Sequence, residues 1–308
     1  MTESTQSSAV AVIGLGNMGG PMAANLVKAG HTVVGFDLSE AARGVAVEAG
    51  VSIAGSAADA VREADAVITM LPAGKHVLAC YNGEDGVEGI IGAAKPGTLF
   101  IDSSTIDVSS SREAHEIARK AGHLSVDAPV SGGTVGASAG TLTFMAGGSD
   151  EALTRAEPLL TAMGKRTVHC GDAGAGQTAK MCNNLILAIS MIGVSEAFVL
   201  AEKLGLDPQA LFDVSSTATG QCWALTTNCP VPGPVPTSPA NRDFSGGFAS
   251  ALMLKDLGLA MTAADETGAP TELGRAAAKM YEEYVGKHGG TLDFSSIITG
   301  IRDQVEGA

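Results

Sequence analysis

Positive charge is scarce in this chain. Nineteen Lys and Arg stand against 33 Asp and Glu, a formal net charge of −14. Nucleic acid and anionic membranes both call for clustered Lys and Arg, so neither is expected as a partner, and the acidity serves solubility. Cysteine is sparse as well: Cys80, Cys170, Cys182, Cys222 and Cys229 are an odd number with no C-x-x-C spacing. That pattern excludes a disulfide framework and a zinc site, and predicts reduced thiols in a cytoplasmic protein. Met1 to Ser8 lacks the basic and apolar regions in series that mark a secretory leader, and reads as a frayed lead-in to the first strand. Leu185 to Ala201 has the hydrophobicity of a short membrane span. Ser190, Ser195 and Glu196 interrupt it and no second span follows, so a helix buried in the protein, partly at a subunit contact, is expected there. Repeats and low-complexity tracts are missing beyond a loop from Cys229 to Pro239 that holds five prolines.

Glycine, by contrast, is abundant at 40 residues, and its most informative use comes early. Val10-Ala11-Val12-Ile13 suits a parallel strand covered on both faces, and it runs directly into Gly14-Leu15-Gly16-Asn17-Met18-Gly19. In this pattern Gly14 permits the tight turn, Gly16 lets the backbone approach a dinucleotide, and Gly19 lets the following helix pack close to the strand. The helix N-terminus then offers its N–H groups and dipole to the pyrophosphate. The chain continues as helix through Met22 to Ala29, stops at Gly30 and resumes as strand at Thr32 to Asp37, completing a βαβ unit. Asp37 falls eighteen residues after Gly19, where an acid bonds the ribose hydroxyls of NAD. A carboxylate there repels the extra phosphate of NADP. Leu38-Ser39-Glu40 supply no cation to neutralise it, and the nearest, Arg43, is about two helical turns' reach away. NAD is the expected cofactor.

At 308 residues the chain exceeds the usual single-domain size. Apolar runs at Ala66 to Leu71, Thr98 to Asp102, Ser125 to Val130, Leu142 to Ala146 and Thr167 to Cys170 alternate with helix formers such as Ser109 to Ala121. After Gly176 the strand pattern ends. A long apolar helix is predicted from about Gln177 to Leu204, another beginning at Asp207-Pro208 with Asp207 as cap, and two more over Gly246 to Ala264 and Glu272 to Lys287. The fold class is therefore α/β: a Rossmann-type doubly wound sheet over residues 1–170, then an all-α domain over 171–308 for substrate and oligomer contacts.

Two stretches could carry chemistry. Lys180 and Asn184 lie four apart near the start of the apolar helix and share a face. Met181, Cys182, Leu185, Ile186 and Leu187 make the surroundings apolar, and burial brings a lysine toward the range useful for proton transfer. Most helical lysines are merely solvated. The second stretch, Asp127-Ala128-Pro129-Val130-Ser131-Gly132-Gly133, ends a strand where open α/β sheets bind their ligands. A hydroxyl and two unencumbered amides could hold a carboxylate there, and an ordinary glycine turn fits the same residues equally.

Taken together these segments resemble the 3-hydroxyacid (β-hydroxyacid) dehydrogenase family. The resemblance is carried by Gly14 to Met22, Asp102-Ser103-Ser104-Thr105-Ile106, Asp127 to Gly133, Gly174 to Asn184 and Lys255-Asp256-Leu257-Gly258-Leu259-Ala260, five motifs in family order over nearly the whole chain. Gly220-Gln221-Cys222-Trp223, Pro230-Val231-Pro232-Gly233, Gly246-Gly247-Phe248 and Asp293-Phe294-Ser295-Ser296 look most like the members that oxidise 3-hydroxyisobutyrate. The resemblance implies that Lys180 is the general acid/base, that Ser131, Gly132 and Gly133 hold the substrate carboxylate, and that Asn184 orients substrate and lysine. It further implies that Leu71, Pro72 and Thr105 line the NAD site together with Gly14, Leu15, Gly16, Asn17, Met18, Gly19 and Asp37, that Lys255 reaches cofactor and substrate, and that Trp223 walls the pocket. Gln221 departs from the pattern, because close relatives often have Arg before Cys-Trp. The implied reaction is NAD-dependent oxidation of 3-hydroxyisobutyrate to methylmalonate semialdehyde in valine degradation, by a cytoplasmic homodimer or homotetramer without a metal. The alternatives are reduction of tartronate or succinic semialdehyde, separated by pocket size, and a non-catalytic dinucleotide-binding scaffold, which would have no use for Lys180. A decarboxylating phosphogluconate dehydrogenase would need a cationic phosphate pocket and a longer second half.

Overall fold

The computed structural model describes residues 7–84 and 86–306. Most of the expected N-terminal lead-in lies outside the described residues. Its last two residues are not frayed: Ser7 Oγ donates to the Gly30 carbonyl at 2.9 Å and the Ser8 N–H to His31 Nδ1 at 3.2 Å. The chain divides into two compact units, Met1–Lys180 and Met181–Ala308. The division expected between residues 170 and 171 thus falls later, inside a helix, between Lys180 and Met181.

In the first unit β1 (Ala9–Ile13), β2 (Thr32–Phe36), β3 (Ser52–Ile53), β4 (Ala66–Thr69), β5 (Leu99–Asp102), β6 (Leu124–Asp127), β7 (Val130–Ser131), β8 (Leu142–Gly148) and β9 (Gly164–Gly171) form one sheet. Its order is β3-β2-β1-β4-β5-β6-β8-β7, with β9 paired to β8. Neighbours from β3 to β6 are parallel, β8 runs antiparallel to β6 and β7, and β9 runs parallel to β8. Strands apolar on both faces explain the continuous runs in the sequence. Val10 and Val12 join one core with Met22, Leu26, Ile68 and Ile101, while Ala11 and Ile13 join another with Val67, Val77, Tyr81 and Phe100. The strand expected over Ser125 to Val130 is two strands. Pro129 has no N–H for the ladder, so β6 stops at Asp127; the Pro129 carbonyl still accepts from Met145 N–H at 3.0 Å, and pairing resumes at Val130.

The helices of this unit are α1 (Gly19–Lys28), α2 (Glu40–Glu48), α3 (Ala57–Val61), α4 (Gly74–Asn82), α5 (Ile90–Ala93), α6 (Val108–Lys120), α7 (Gly133–Ala139) and α8 (Asp150–Met163). Ser39, Ser56, Asp107 and Ser149 each accept an N–H three residues ahead and so start α2, α3, α6 and α8.

Helix α9 (Ala175–Lys203) begins in the first unit and continues into the second, followed by α10 (Pro208–Ser215), α11 (Trp223–Thr226), α12 (Ser250–Thr267), α13 (Glu272–His288) and α14 (Ile297–Glu306). Met191, Phe198, Leu257, Tyr281, Phe294 and Ile298 form the core of the second unit. Asp207 caps α10 and Pro208 opens it. Helix α12 starts later than expected because Gly246 and Gly247, at φ 75° and 84°, lie outside helical space. Helix α9 is long and apolar enough to cross a membrane, yet only 44% of its most apolar stretch is buried, and Ile186 and Leu200 are exposed. It is less enclosed than its composition implies.

Candidate active site

The parallel register sets five strand ends in one row: Phe36, Ile13, Thr69, Asp102 and Asp127 pair successively from β2 to β6. The segments that leave this edge are those to which the sequence assigns ligands, the place where open α/β sheets bind them.

The glycine turn after β1 is built by close contact. Gly14 sits at φ 96°, and a Cβ there would lie 2.3 Å from the Met70 carbonyl oxygen. A Cβ on Gly19 would lie 1.9 Å from the Gly14 carbonyl oxygen, so α1 packs against the turn as a helix without a side chain at this point must. Gly16 differs: nothing lies within 4 Å of a Cβ built there. The space above it is open, which fits a cofactor's pyrophosphate. Helix α1 has neither a side-chain cap nor an acid in its first turn, so its own residues leave the positive end open.

Asp37 follows β2 and holds the turn from the other side. Its Oδ2 accepts from Leu15 N–H and its Oδ1 from Ser39 N–H, both at 2.7 Å. Arg43 is nearer than its sequence distance implies. From the first turn of α2 it reaches back, donating from Nη1 to the carbonyls of Asp37 at 2.6 Å and Leu38 at 3.2 Å. A cation therefore stands beside the acid expected to distinguish the two nicotinamide cofactors. Leu71 and Pro72 follow β4, and Leu71 N–H donates to Ser104 Oγ at 2.8 Å, tying that segment to the one carrying Thr105.

Ser131 ends β7, paired with Thr143 of β8. Gly132 stands at the head of α7 with φ 133°, followed by Gly133 at φ 61°, backbone that glycine adopts readily. The glycine loop thus follows the short antiparallel strand rather than β6 itself.

Lys180 closes the first unit. The buried stripe of α9 runs Gln177, Lys180, Asn184, Ala188 and Met191, at 1%, 7%, 2%, 0% and 0% exposure. Cys182 and Ile186, expected to shelter the lysine, are exposed. Asn184, Trp223 and Lys255 belong to the second unit. There Asn184 Nδ2 donates to Asp256 Oδ2 at 2.5 Å, and Asn184 Oδ1 accepts from Asn183 Nδ2 at 3.0 Å. Trp223 is 52% exposed at the start of α11, which excludes the plain core role that a lone tryptophan most often has.

Sequence alone assigns no role to Asp127 as a cap, nor to His115, Gln177 or Asp256. Asp127 is fully buried; its Oδ1 accepts from Gly174 N–H at 2.8 Å and from His115 Nε2 at 2.9 Å, and its Oδ2 from Gln177 N–H at 2.9 Å. Its place in a motif was visible, but its partners are mostly backbone groups. Burial pushes Cys80 up to about 12 and raises Cys170 and Cys229, so these thiols stay protonated near neutral pH.

Residues 9–171 match the family described as NAD binding domain of 6-phosphogluconate dehydrogenase, and residues 174–301 that described as NAD-binding of NADP-dependent 3-hydroxyisobutyrate dehydrogenase. A probable 3-hydroxyisobutyrate dehydrogenase of Mycobacterium tuberculosis is 56% identical over 297 residues, covering 96% of this chain and 99% of the relative. An NAD-dependent L-serine dehydrogenase of Pseudomonas aeruginosa is 47% identical over 298 residues, covering 97% and 99%. Among solved structures, Mycobacterium tuberculosis 3-hydroxyisobutyrate dehydrogenase with L-serine has a TM-score of 0.92 at 56% identity, covering 96% of this chain and 100% of that one.

Proposed function

As the chain belongs to the 3-hydroxyisobutyrate dehydrogenase family and is an NAD-binding oxidoreductase acting on a CH–OH group, we propose that it oxidises 3-hydroxyisobutyrate to methylmalonate semialdehyde, with Lys180 as the proton acceptor. The observation that carries this reading is Lys180 itself, a lysine only 7% exposed on the helix whose first turn is bonded to the segment around Thr105. A solvated lysine would need no such burial.

The turn Gly14 to Gly19 and Asp37 would hold the dinucleotide, with Leu71, Pro72 and Thr105 lining its site. NAD, when bound, supplies the hydride acceptor. The Ser131 hydroxyl and the amides of Gly132 and Gly133 bind the substrate carboxylate and so place the hydroxyl carbon. Lys180 Nζ, in its neutral form, takes the hydroxyl proton as the carbon gives up hydride, which leaves the aldehyde. Asn184 orients substrate and lysine, Lys255 reaches cofactor and substrate, and Trp223 provides an apolar wall. The reaction belongs to valine degradation in the cytoplasm, and the exposed Ile186, Leu200 and Leu204 support a homodimer or homotetramer.

L-serine is the second substrate to weigh, because a relative at 47% identity is an L-serine dehydrogenase and a solved relative is described with L-serine. Both compounds are 3-hydroxy acids with a primary alcohol, so the same groups would act on either. The test measures kcat/KM for 3-hydroxyisobutyrate, L-serine, tartronate semialdehyde and succinic semialdehyde with NAD(H) and NADP(H). The highest value is expected for 3-hydroxyisobutyrate with NAD; a higher value for another compound replaces the substrate.

A further inference from the structure

Gln177 is 1% exposed and has no part in the reaction as written above, yet both ends of its side chain are engaged. Nε2 donates to the Ser104 carbonyl at 2.7 Å, and Oε1 accepts from the Ile106 N–H at 3.1 Å. The two bonds straddle Thr105. Only a group presenting one donor and one acceptor side by side can clamp a carbonyl and an N–H in this way; a carboxylate would set an acceptor against the Ser104 carbonyl.

The backbone beneath Gln177 is held as firmly. Its N–H donates to Asp127 Oδ2 at 2.9 Å, while Asp127 Oδ1 accepts from Gly174 N–H at 2.8 Å and from His115 Nε2 at 2.9 Å. His115 Nδ1 is 2.6 Å from Ser125 Oγ, which fixes the ring in turn. A carboxylate with no exposure and three N–H donors is a rigid anchor. The helix seats directly on the sheet at this point: a Cβ on Gly176 would lie 2.2 Å from the Met145 carbonyl oxygen of β8 and 2.8 Å from Asp127 Oδ2. Lys180 follows three residues after Gln177, on the same side of α9.

We infer that Gln177 is a positioning residue: it fixes the register between the segment Ser103 to Ile106, which carries Thr105, and the amine of Lys180, with Asp127 and His115 holding the helix start behind it. This rests on the reading of Lys180 as proton acceptor. Misplacing a reacting group by about 1 Å can cost on the order of 100-fold in rate, so losing the clamp should appear in turnover rather than in binding.

The test is a double-mutant cycle on the full chain with Gln177→Ala, Lys180→Ala and the pair, using 3-hydroxyisobutyrate with hydrogen or deuterium on the hydroxyl carbon. Gln177→Ala is expected to lower kcat about tenfold or more, to change KM less than about threefold and to raise the deuterium effect on kcat. In the Lys180→Ala background the same substitution should cost less than about twofold, because its effect runs through the lysine. Gln177→Glu, of equal length, keeps a bond to Ile106 N–H and loses the one to Ser104. It should show a loss of the same kind, since its second oxygen faces the Ser104 carbonyl, and it carries the test if the alanine variant folds poorly. A kcat within about twofold of the parent for both Gln177 variants, or a loss undiminished in the Lys180→Ala background, overturns the inference. Near-normal turnover of Lys180→Ala alone overturns the lysine reading instead, so the two failures are distinguishable.

Discussion

Asp102 ends β5 at 4% exposure, where charge is costly. Thr69 Oγ1 at 2.7 Å and Ser104 N–H at 3.2 Å both donate to its Oδ1. Oδ2 is buried without a hydrogen-bond partner among the described residues, and Asp102 borders a small cavity with Tyr81, Ser111 and His115. Burial pushes its carboxyl up to about 6 from the ordinary 3.8; the bonds from Ser104 and Thr69 pull it down, and the neighbouring Asp127 charge adds to the rise. The folded state therefore holds this proton more tightly than the unfolded chain does. Stability is lost as pH rises between the two values, the reverse of a salt-bridged aspartate. At about 1.4 kcal/mol per pH unit the full effect is about 3 kcal/mol, of which about 2 kcal/mol develops between pH 4 and pH 7.5. Asp102→Asn keeps an acceptor for Thr69 and Ser104 and cannot ionise. Its stability relative to the parent should improve by about 2 kcal/mol from pH 4 to pH 7.5. Amide hydrogen exchange of β5, corrected for intrinsic rates, reads this locally. Trp223 lies in the second unit, so its fluorescence would follow the wrong part of the chain. A difference between variant and parent that is the same at both pH values refutes the reasoning.

Lys180→Ala should lower turnover by about 100-fold or more while NAD still binds in a titration; the rise of oxidation rate with pH should disappear with the lysine, and a retained pH profile would assign the proton to another group. Asp37→Ala should weaken NAD and narrow its advantage over NADP in kcat/KM, because the repulsion goes while Arg43 stays beside the site; an unchanged ratio would remove Asp37 from cofactor choice. A thiol reagent at neutral pH should label exposed Cys182 before Cys80, whose thiol burial pushes up to about 12, as mass spectrometry of timed samples would show, and activity should survive both mild reductant and chelator. Loss with chelator that added metal restores would overturn the metal-free reaction.

The βαβ unit was legible because its signals are side-chain patterns. An apolar run and the glycines report packing demands, and Gly14 and Gly19 meet them in the fold; Asp37, at the next strand end, accepts the N–H groups of Leu15 and Ser39. The apolar run at Ser125 to Val130 does not show where Pro129, which lacks a donor, divides it into two strands that both pair with β8. The exposure of Ile186 and Cys182 is not legible for a related reason: an apolar helix does not declare which of its faces is covered. Sequence distance sets Arg43 too far off, whereas a long side chain one turn into a helix folds back toward the end of the strand that precedes it.

Gln177, Asp127 and Asp256 escaped for a deeper reason. Gln177 and Asp127 bind mostly backbone N–H and C=O groups, which every residue carries, so the motifs that contain them do not show what they bind. Asp256 binds an amide in a distant segment, Asn184. These residues share a physical function. Each unit supplies one buried carboxylate that fixes a polar group on the inward stripe of α9: Asp127 holds the backbone of Gln177, and Asp256 holds the side chain of Asn184. Lys180 stands between those two positions on the same stripe. A lysine has four rotatable bonds and no geometry of its own, so the precision that the proposed proton acceptor needs is set in part by the backbone that carries it. Pinning α9 on both sides of Lys180, from carboxylates themselves locked by burial, supplies that precision through the helix backbone.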